Sequence, residues 1–207
     1  MLDPYGHPSL PLAWYFEPEV LDIERRTLLA DAPDYVGTLG IVPEHGAYAT
    51  LPGRDDTEVL VRDGSDVRLL SNICAHREMT ILRGRGRANR LVCPMHKWTY
   101  DLGGSVIGAP HHPRKPCARL RERPLQTWNG LLFSGPRDVA SDLLTIGQRP
   151  HLDVSDYLLV DQHEEVHPVN WKILFEVFFD VYHVAALHPG FYRYQYPNIH
   201  SDAGTSI

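Results

Sequence analysis

Two pairs of metal-ligating side chains stand close together in this chain: Cys74-x-His76 in ICAHREMT and, after sixteen intervening residues, Cys93-x-x-His96 in VCPMHKWTY. A metal site assembled from two loops favours such close pairs. Each short loop can then aim two side chains at one point, while the hairpin between the loops supplies rigidity. The competing reading makes both cysteines small buried hydrophobes and both histidines hydrogen-bonded surface groups, and it has to hold for four residues at once. A structural zinc site is the sharper competitor. Zinc fingers, however, pair Cys with Cys and His with His, whereas both pairs here are mixed.

Mixed pairs suit a [2Fe–2S] cluster in which one iron takes both thiolates and the other both imidazoles, so that each loop serves both irons. Neutral imidazoles in place of two thiolates favour the reduced form and lift the potential to roughly −150 to +300 mV. At these residues the sequence resembles the Rieske proteins, and CAHR with CPMHKWTYD is most similar to the Rieske domain of ring-hydroxylating oxygenase large (alpha) subunits. The resemblance implies that Cys74 and Cys93 ligate one iron, and His76 and His96 the other. It also marks departures. The family has glycine after HR and between the second His and Trp, where Glu78 and Lys97 stand here, and Met95 replaces a commoner aromatic residue. Glycine at such places permits positive φ or close backbone approach, so the loops are expected to be locally altered with their ligands retained. Lys97 places a cation beside the cluster and is expected to raise its potential.

A second constellation, Asp180-x-x-His183-x-x-x-x-His188, lies in NWKILFEVFFDVYHVAALHPG. Asn170 is a suitable N-cap and Pro189-Gly190 a terminator, which predicts a helix between them. Its apolar residues cover nearly the whole circumference, so it is expected to be buried on most faces, and Glu176, Asp180, His183 and His188 stand out against that background. Asp180 and His183 are i,i+3 neighbours, and His188 falls where the helix can open, so one metal could see both histidines; the alternative is a buried Asp–His network. This segment resembles the start of the oxygenase catalytic domain, where two histidines and a carboxylate hold a mononuclear Fe(II). By that resemblance His183 and His188 are iron ligands. Asp180 matches the acid that, in the family, bridges the iron's histidine to a cluster ligand of the neighbouring subunit in a ring-shaped homo-oligomer, commonly a trimer. The third ligand comes from far downstream in the family, whereas this sequence stops at Ile207, and Asp202 in the tail SDAGTSI is a poor substitute. The resemblance covers residues 15 to 200, and the chain is expected to be an N-terminal portion with an incomplete mononuclear iron site.

The elements that must position these residues are short. TEVLVR, the turn DGSD and VRLLSN read as a hairpin leading into the first pair, and LV before Cys93 with Pro94 after it puts the second pair on a loop that closes near Gly103-Gly104. LQTWNGLLFSG is a hairpin through Asn129-Gly130, YLLVDQHEEVHPV is β-like, and EPEVLDIERRTLLAD is a surface helix with Pro18 at its first position. Adjacent His111 and His112 point to opposite faces in any strand and read as solvated loop residues, and Cys117 as a packed or free thiol. The fold is expected to be mainly β: a Rieske antiparallel β domain (36–137) after a lead with a short helix (1–35), followed by the truncated start of an α+β, helix-grip-like catalytic domain (138–207).

Across 207 residues, 43% apolar content allows one large or two small domains, and a formal charge of −6 gives no reason to expect a nucleic acid or an anionic membrane as partner. An odd count of three cysteines, the absence of a long apolar run and an N-terminus without a secretion-signal layout predict a soluble, cytoplasmic protein. The resemblance implies an enzyme that takes NAD(P)H-derived electrons from a reductase, in some cases through a ferredoxin, and uses O2 to hydroxylate a small organic substrate, expected to be aromatic. The alternative is a ferredoxin-like electron carrier without a substrate site of its own. It leaves the buried helix with Asp180, His183 and His188 unexplained.

Overall fold

The computed structural model describes residues 10–114, 116–146, 150–180, 182–188 and 190–191. In chain order the α-helices among the described residues are α1 (Pro18–Glu24), α2 (Val139–Asp142), α3 (Trp171–Phe179) and α4 (Tyr182–Leu187). No helix among the described residues is long and apolar enough to cross a membrane. The chain divides into two compact units, residues 25–164 and a second made of residues 1–24 with 165–207.

Every strand pair of the first unit is antiparallel, and α2 follows its last strand. A five-stranded sheet runs in the order Arg85–Arg87 (β5), Ala47–Thr50 (β2), Glu58–Asp63 (β3), Asp66–Ser71 (β4) and Glu122–Arg123 (β9). Asp34–Thr38 (β1), Leu131–Ser134 (β11) and Leu125–Trp128 (β10) form a second sheet, and Leu91–Val92 (β6), Thr99–Tyr100 (β7) and Val106–Gly108 (β8) a third. Both hairpins expected from the sequence are present. β3 pairs with β4 across Gly64-Ser65, and β10 with β11 across Asn129 (φ 50°) and Gly130 (φ 80°), the left-handed pair that a two-residue hairpin turn needs. The β-like stretch YLLVDQHEEVHPV pairs with no strand among the described residues.

Side chains alternate across a strand, and β3 uses both of its faces. Val59 and Val61, with Leu70 of β4, enter a core that contains Cys74, Cys93, Trp98 and Tyr100. Leu60 and Leu69 point the other way, into a core with Val36, Ala49 and Leu132. Burial on both faces explains why these strands read as continuous apolar runs rather than as alternation.

In the second unit Asn170 caps α3 as expected, its side chain accepting from the Lys172 N–H at 2.9 Å. The helical run from 171 to 188 is not continuous. It breaks at Asp180, whose φ −79° and ψ 87° leave the helical region, and resumes at Tyr182. The expected burial on most faces does not hold among the described residues either: Ile173, Phe175, Val177, Phe178 and Phe179 are exposed, because little of the described chain packs over them. α3 is instead held by polar pins. Lys172 and Glu24 are 6% and 7% exposed and form an ion pair, Nζ lying 2.8 and 2.9 Å from the two carboxylate oxygens. The Trp171 indole N–H also donates to Glu24, Asn170 donates to the Tyr15 carbonyl, and the Tyr15 hydroxyl donates to Glu176.

Candidate metal centre

The two cysteine–histidine pairs sit on two turns of the same construction. In the first, the Cys74 N–H donates to the Met79 carbonyl (2.8 Å) and the Glu78 N–H returns to the Cys74 carbonyl (2.9 Å). In the second, the Cys93 N–H donates to Trp98 (2.8 Å) and the Lys97 N–H returns to Cys93 (3.1 Å). Each turn closes through a left-handed residue, Glu78 at φ 52° and Lys97 at φ 57°, so the local alteration expected from the missing glycines is not seen in φ: both residues hold the conformation that glycine would adopt. A side chain in that conformation costs roughly 1–2 kcal/mol.

Both turns are anchored. Residues 72 and 82, either side of the first, are joined by the fully buried Asn72 amide. It donates to Leu82 and Asp56 carbonyls at 2.9 and 2.8 Å, and accepts from the Leu82 N–H at 2.9 Å. The second turn caps the β6–β7 hairpin. This brings all four candidates together: Cys74 and Cys93 are buried in one core, and the His76 and His96 rings lie 4.7 Å apart at 77°. Trp98 stacks on His76 at 4.7 Å, and His112 meets Trp98 edge-on at 5.7 Å. His112 is therefore less detached than its solvated-loop reading suggested, although it is exposed, as is Cys117.

The chemistry of the donor set fits a Rieske cluster. His76 Nδ1 is buried and has no hydrogen-bond partner, which is costly for a polar atom with no other use and ordinary for a metal ligand. Burial, and then the nearness of His96, Arg77 and His112, lowers the His76 pKa from the ordinary imidazole value, which favours the neutral ring that binds metal. Two buried thiols outside any disulfide share a core with Trp98, the ring that stacks on His76. The Tyr100 hydroxyl is 3.1 Å from Cys74 Sγ and accepts from the Ala75 N–H; burial, followed by the contact with Cys74, raises its pKa and keeps it a phenol that can donate to a thiolate. No group of three or more His, Cys, Asp or Glu among the described residues gathers as a single-metal site. Two irons with two protein ligands each do not require such a group.

In the second unit, His183 Nδ1 lies 3.3 Å from an Asp180 carboxylate oxygen, and the His183 and His188 rings are 5.9 Å apart at 79°. The helix break at Asp180 and the end of α4 at Leu187 place these side chains at helix termini. Asp202 and Pro189 lie outside the described residues. Sequence reasoning missed Asn72, Trp98, Tyr100 and the Glu24–Lys172 pair. Only Trp98 and Tyr100 carried a signal, through their place in the CPMHKWTYD motif.

Residues 40–129 match the Rieske [2Fe-2S] domain family, and residues 152–201 the catalytic domain of ring-hydroxylating alpha subunits. The chain is 47% identical over 184 residues to the putrescine 2-hydroxylase of Ralstonia nicotianae, covering 88% of this chain and 50% of that protein. It is 38% identical over 203 residues to the putrescine 2-hydroxylase of Bordetella bronchiseptica, covering 90% and 47%. It thus spans about half the length of the curated relatives it matches. A quaternary ammonium Rieske monooxygenase involved in carnitine oxidation shares its fold, with a TM-score of 0.73 at 24% identity over 89% of this chain and 54% of that one. Naphthalene 1,2-dioxygenase from Rhodococcus sp. has a TM-score of 0.67 at 26% identity, over 89% and 46%. With a Rieske β domain leading into the start of a ring-hydroxylating catalytic domain on one polypeptide, the chain belongs to the Rieske-type oxygenase alpha subunits.

Proposed function

We propose that this chain is the electron-accepting portion of an oxygenase, with Cys74 and Cys93 holding one iron of the [2Fe–2S] cluster and His76 and His96 the other. The observation that carries this reading is the orphaned, buried Nδ1 of His76, whose ring stacks on the Trp98 that shares a core with two buried thiols. The division proposed with it is a lead over 1–35, the Rieske domain over 36–137 and the start of the catalytic domain over 138–207. His183 and His188 supply two ligands to a mononuclear Fe(II). When bound, the cluster takes up single electrons and the ferrous ion activates O2. The protein's own residues do the positioning. Tyr100 donates to the Cys74 thiolate, Trp98 fixes the plane of the His76 ring, and Asp180 orients His183 by accepting from its Nδ1. Asp180 also links the two metal centres across a subunit boundary, which requires a homo-oligomer, a trimer in this reading. The electrons come from NAD(P)H through a reductase, with or without a ferredoxin.

The substrate is a small organic molecule. The relatives named above favour an aliphatic amine such as the putrescine that they hydroxylate over the aromatic compound expected from the sequence. The test is a count of iron and acid-labile sulfide per chain in the longest native polypeptide that contains it. About two of each is expected from the cluster. A further iron that disappears in His183→Ala supports the oxygenase, and its absence in the parent leaves an electron carrier. A colourless protein with no EPR signal on reduction removes the cluster altogether.

A further inference from the structure

The two metal-binding turns repeat one backbone plan, with Cys74 matching Cys93, Glu78 matching Lys97 and Met79 matching Trp98. Glu78 and Lys97 are therefore equivalent positions, and both hold the left-handed conformation that glycine adopts without strain. Both side chains are exposed, and neither is taken up by an ion pair among the described residues. Packing of the turns therefore gives no reason for a side chain at either place. Retained strain with no structural return points to function, and the chemistry at the two positions is equal and opposite. Lys97 follows His96 directly and lines the same open cleft, of about 380 Å³, as His76 and His96. Glu78 lies two residues after His76.

From this geometry we infer that Glu78 and Lys97 are a matched pair of fixed charges that set the cluster's reduction potential from opposite sides. The positive charge of Lys97 stabilises the added electron, and the negative charge of Glu78 opposes it. With one of each in equivalent turns, their effects on the cluster largely offset. A partner's countercharge that neutralises Lys97 lowers the potential, and one that neutralises Glu78 raises it. The inference rests on the cluster assignment above.

The test compares midpoint potentials of the native protein with Lys97→Gln, Glu78→Gln, the double variant and the two glycine variants, with cluster content read from visible absorption and the reduced-state EPR signal. Glutamine removes the charge and keeps the strained backbone, whereas glycine removes both. Lys97→Gln is expected to lower the potential and Glu78→Gln to raise it. Each should change the reduced-to-oxidised ratio at a fixed applied potential by about twofold, as a unit charge roughly 10 Å away in water does. The double variant should fall back near the parent, and all shifts should shrink as salt is added. Each glycine variant should match its glutamine counterpart in potential but melt at a higher temperature. Glutamine variants that keep the cluster but do not shift, or shift in the same direction, overturn the inference. So do shifts confined to the glycine variants. A parent protein with no cluster signal at all instead overturns the cluster assignment on which the inference rests.

Discussion

The two units of this chain are stabilised in opposite ways. In residues 25–164 apolar side chains are buried on both faces of β3 and β4, and the fully buried amide of Asn72 has its hydrogen bonds supplied by neighbouring backbone. Around α3 the large apolar side chains are exposed, and what is buried is an ion pair, Lys172 with Glu24. A β unit with its own core can present rigid turns to a cluster. A helix held by charge has little cohesion of its own among the described residues, and its position depends on a few contacts.

The comparison breaks most visibly at Lys172. Lys172→Met leaves Glu24 buried without its countercharge, which costs about 3–5 kcal/mol. Hydrogen exchange resolved by segment should show protection lost around α1 and α3 while β2 to β4 keep theirs; equal loss in both units would show that they are not separately held. Leu60 and Phe178 sharpen the contrast. Leu60→Ala, from a side chain with no exposure, is expected to destabilise by about 2–5 kcal/mol, and Phe178→Ala, from one 75% exposed, by less than about 0.5 kcal/mol, both read from denaturant melts. At the cluster turns, Tyr100→Phe removes the hydroxyl 3.1 Å from Cys74 Sγ and should lower the midpoint potential, since hydrogen bonds to cluster sulfur favour reduction, with a stability loss of about 1 kcal/mol. The smallest effect is one of pH. Asp138 caps α2, and its hydrogen bonds with Ser141, followed by that from Ala140, lower its pKa. A lowered folded-state value contributes stability that is complete above the ordinary carboxylate range and lost as the pH falls through the lowered value. Asp138→Asn should flatten that part of the melting-temperature profile and leave the neutral-pH end nearly unchanged.

Much of the β unit was legible because its signals are local. The Asn129-Gly130 turn and the β3–β4 hairpin each follow from a few neighbouring residues. The four candidate cluster ligands were legible from spacing. What could not be read depends on partners distant in sequence. Nothing near Lys172 announces that Glu24 will bury with it, and nothing in NWKILFEVFFDVYHVAALH marks Asp180 as a break. All-round apolar composition predicted burial for α3, but composition does not say which chain segment does the covering.

The Glu24–Lys172 contact also has a consequence for the order of assembly. It spans 148 residues, and the whole cluster unit, residues 25–164, lies inside the loop it closes. As the chain emerges from the ribosome, the β unit is complete before Lys172 has been made, and domains tend to fold as they appear. Until then Glu24 remains hydrated, with no countercharge to draw it out of water. The β unit can therefore fold, and its cysteines can be brought together, before Lys172 is available to pin α3 to Glu24.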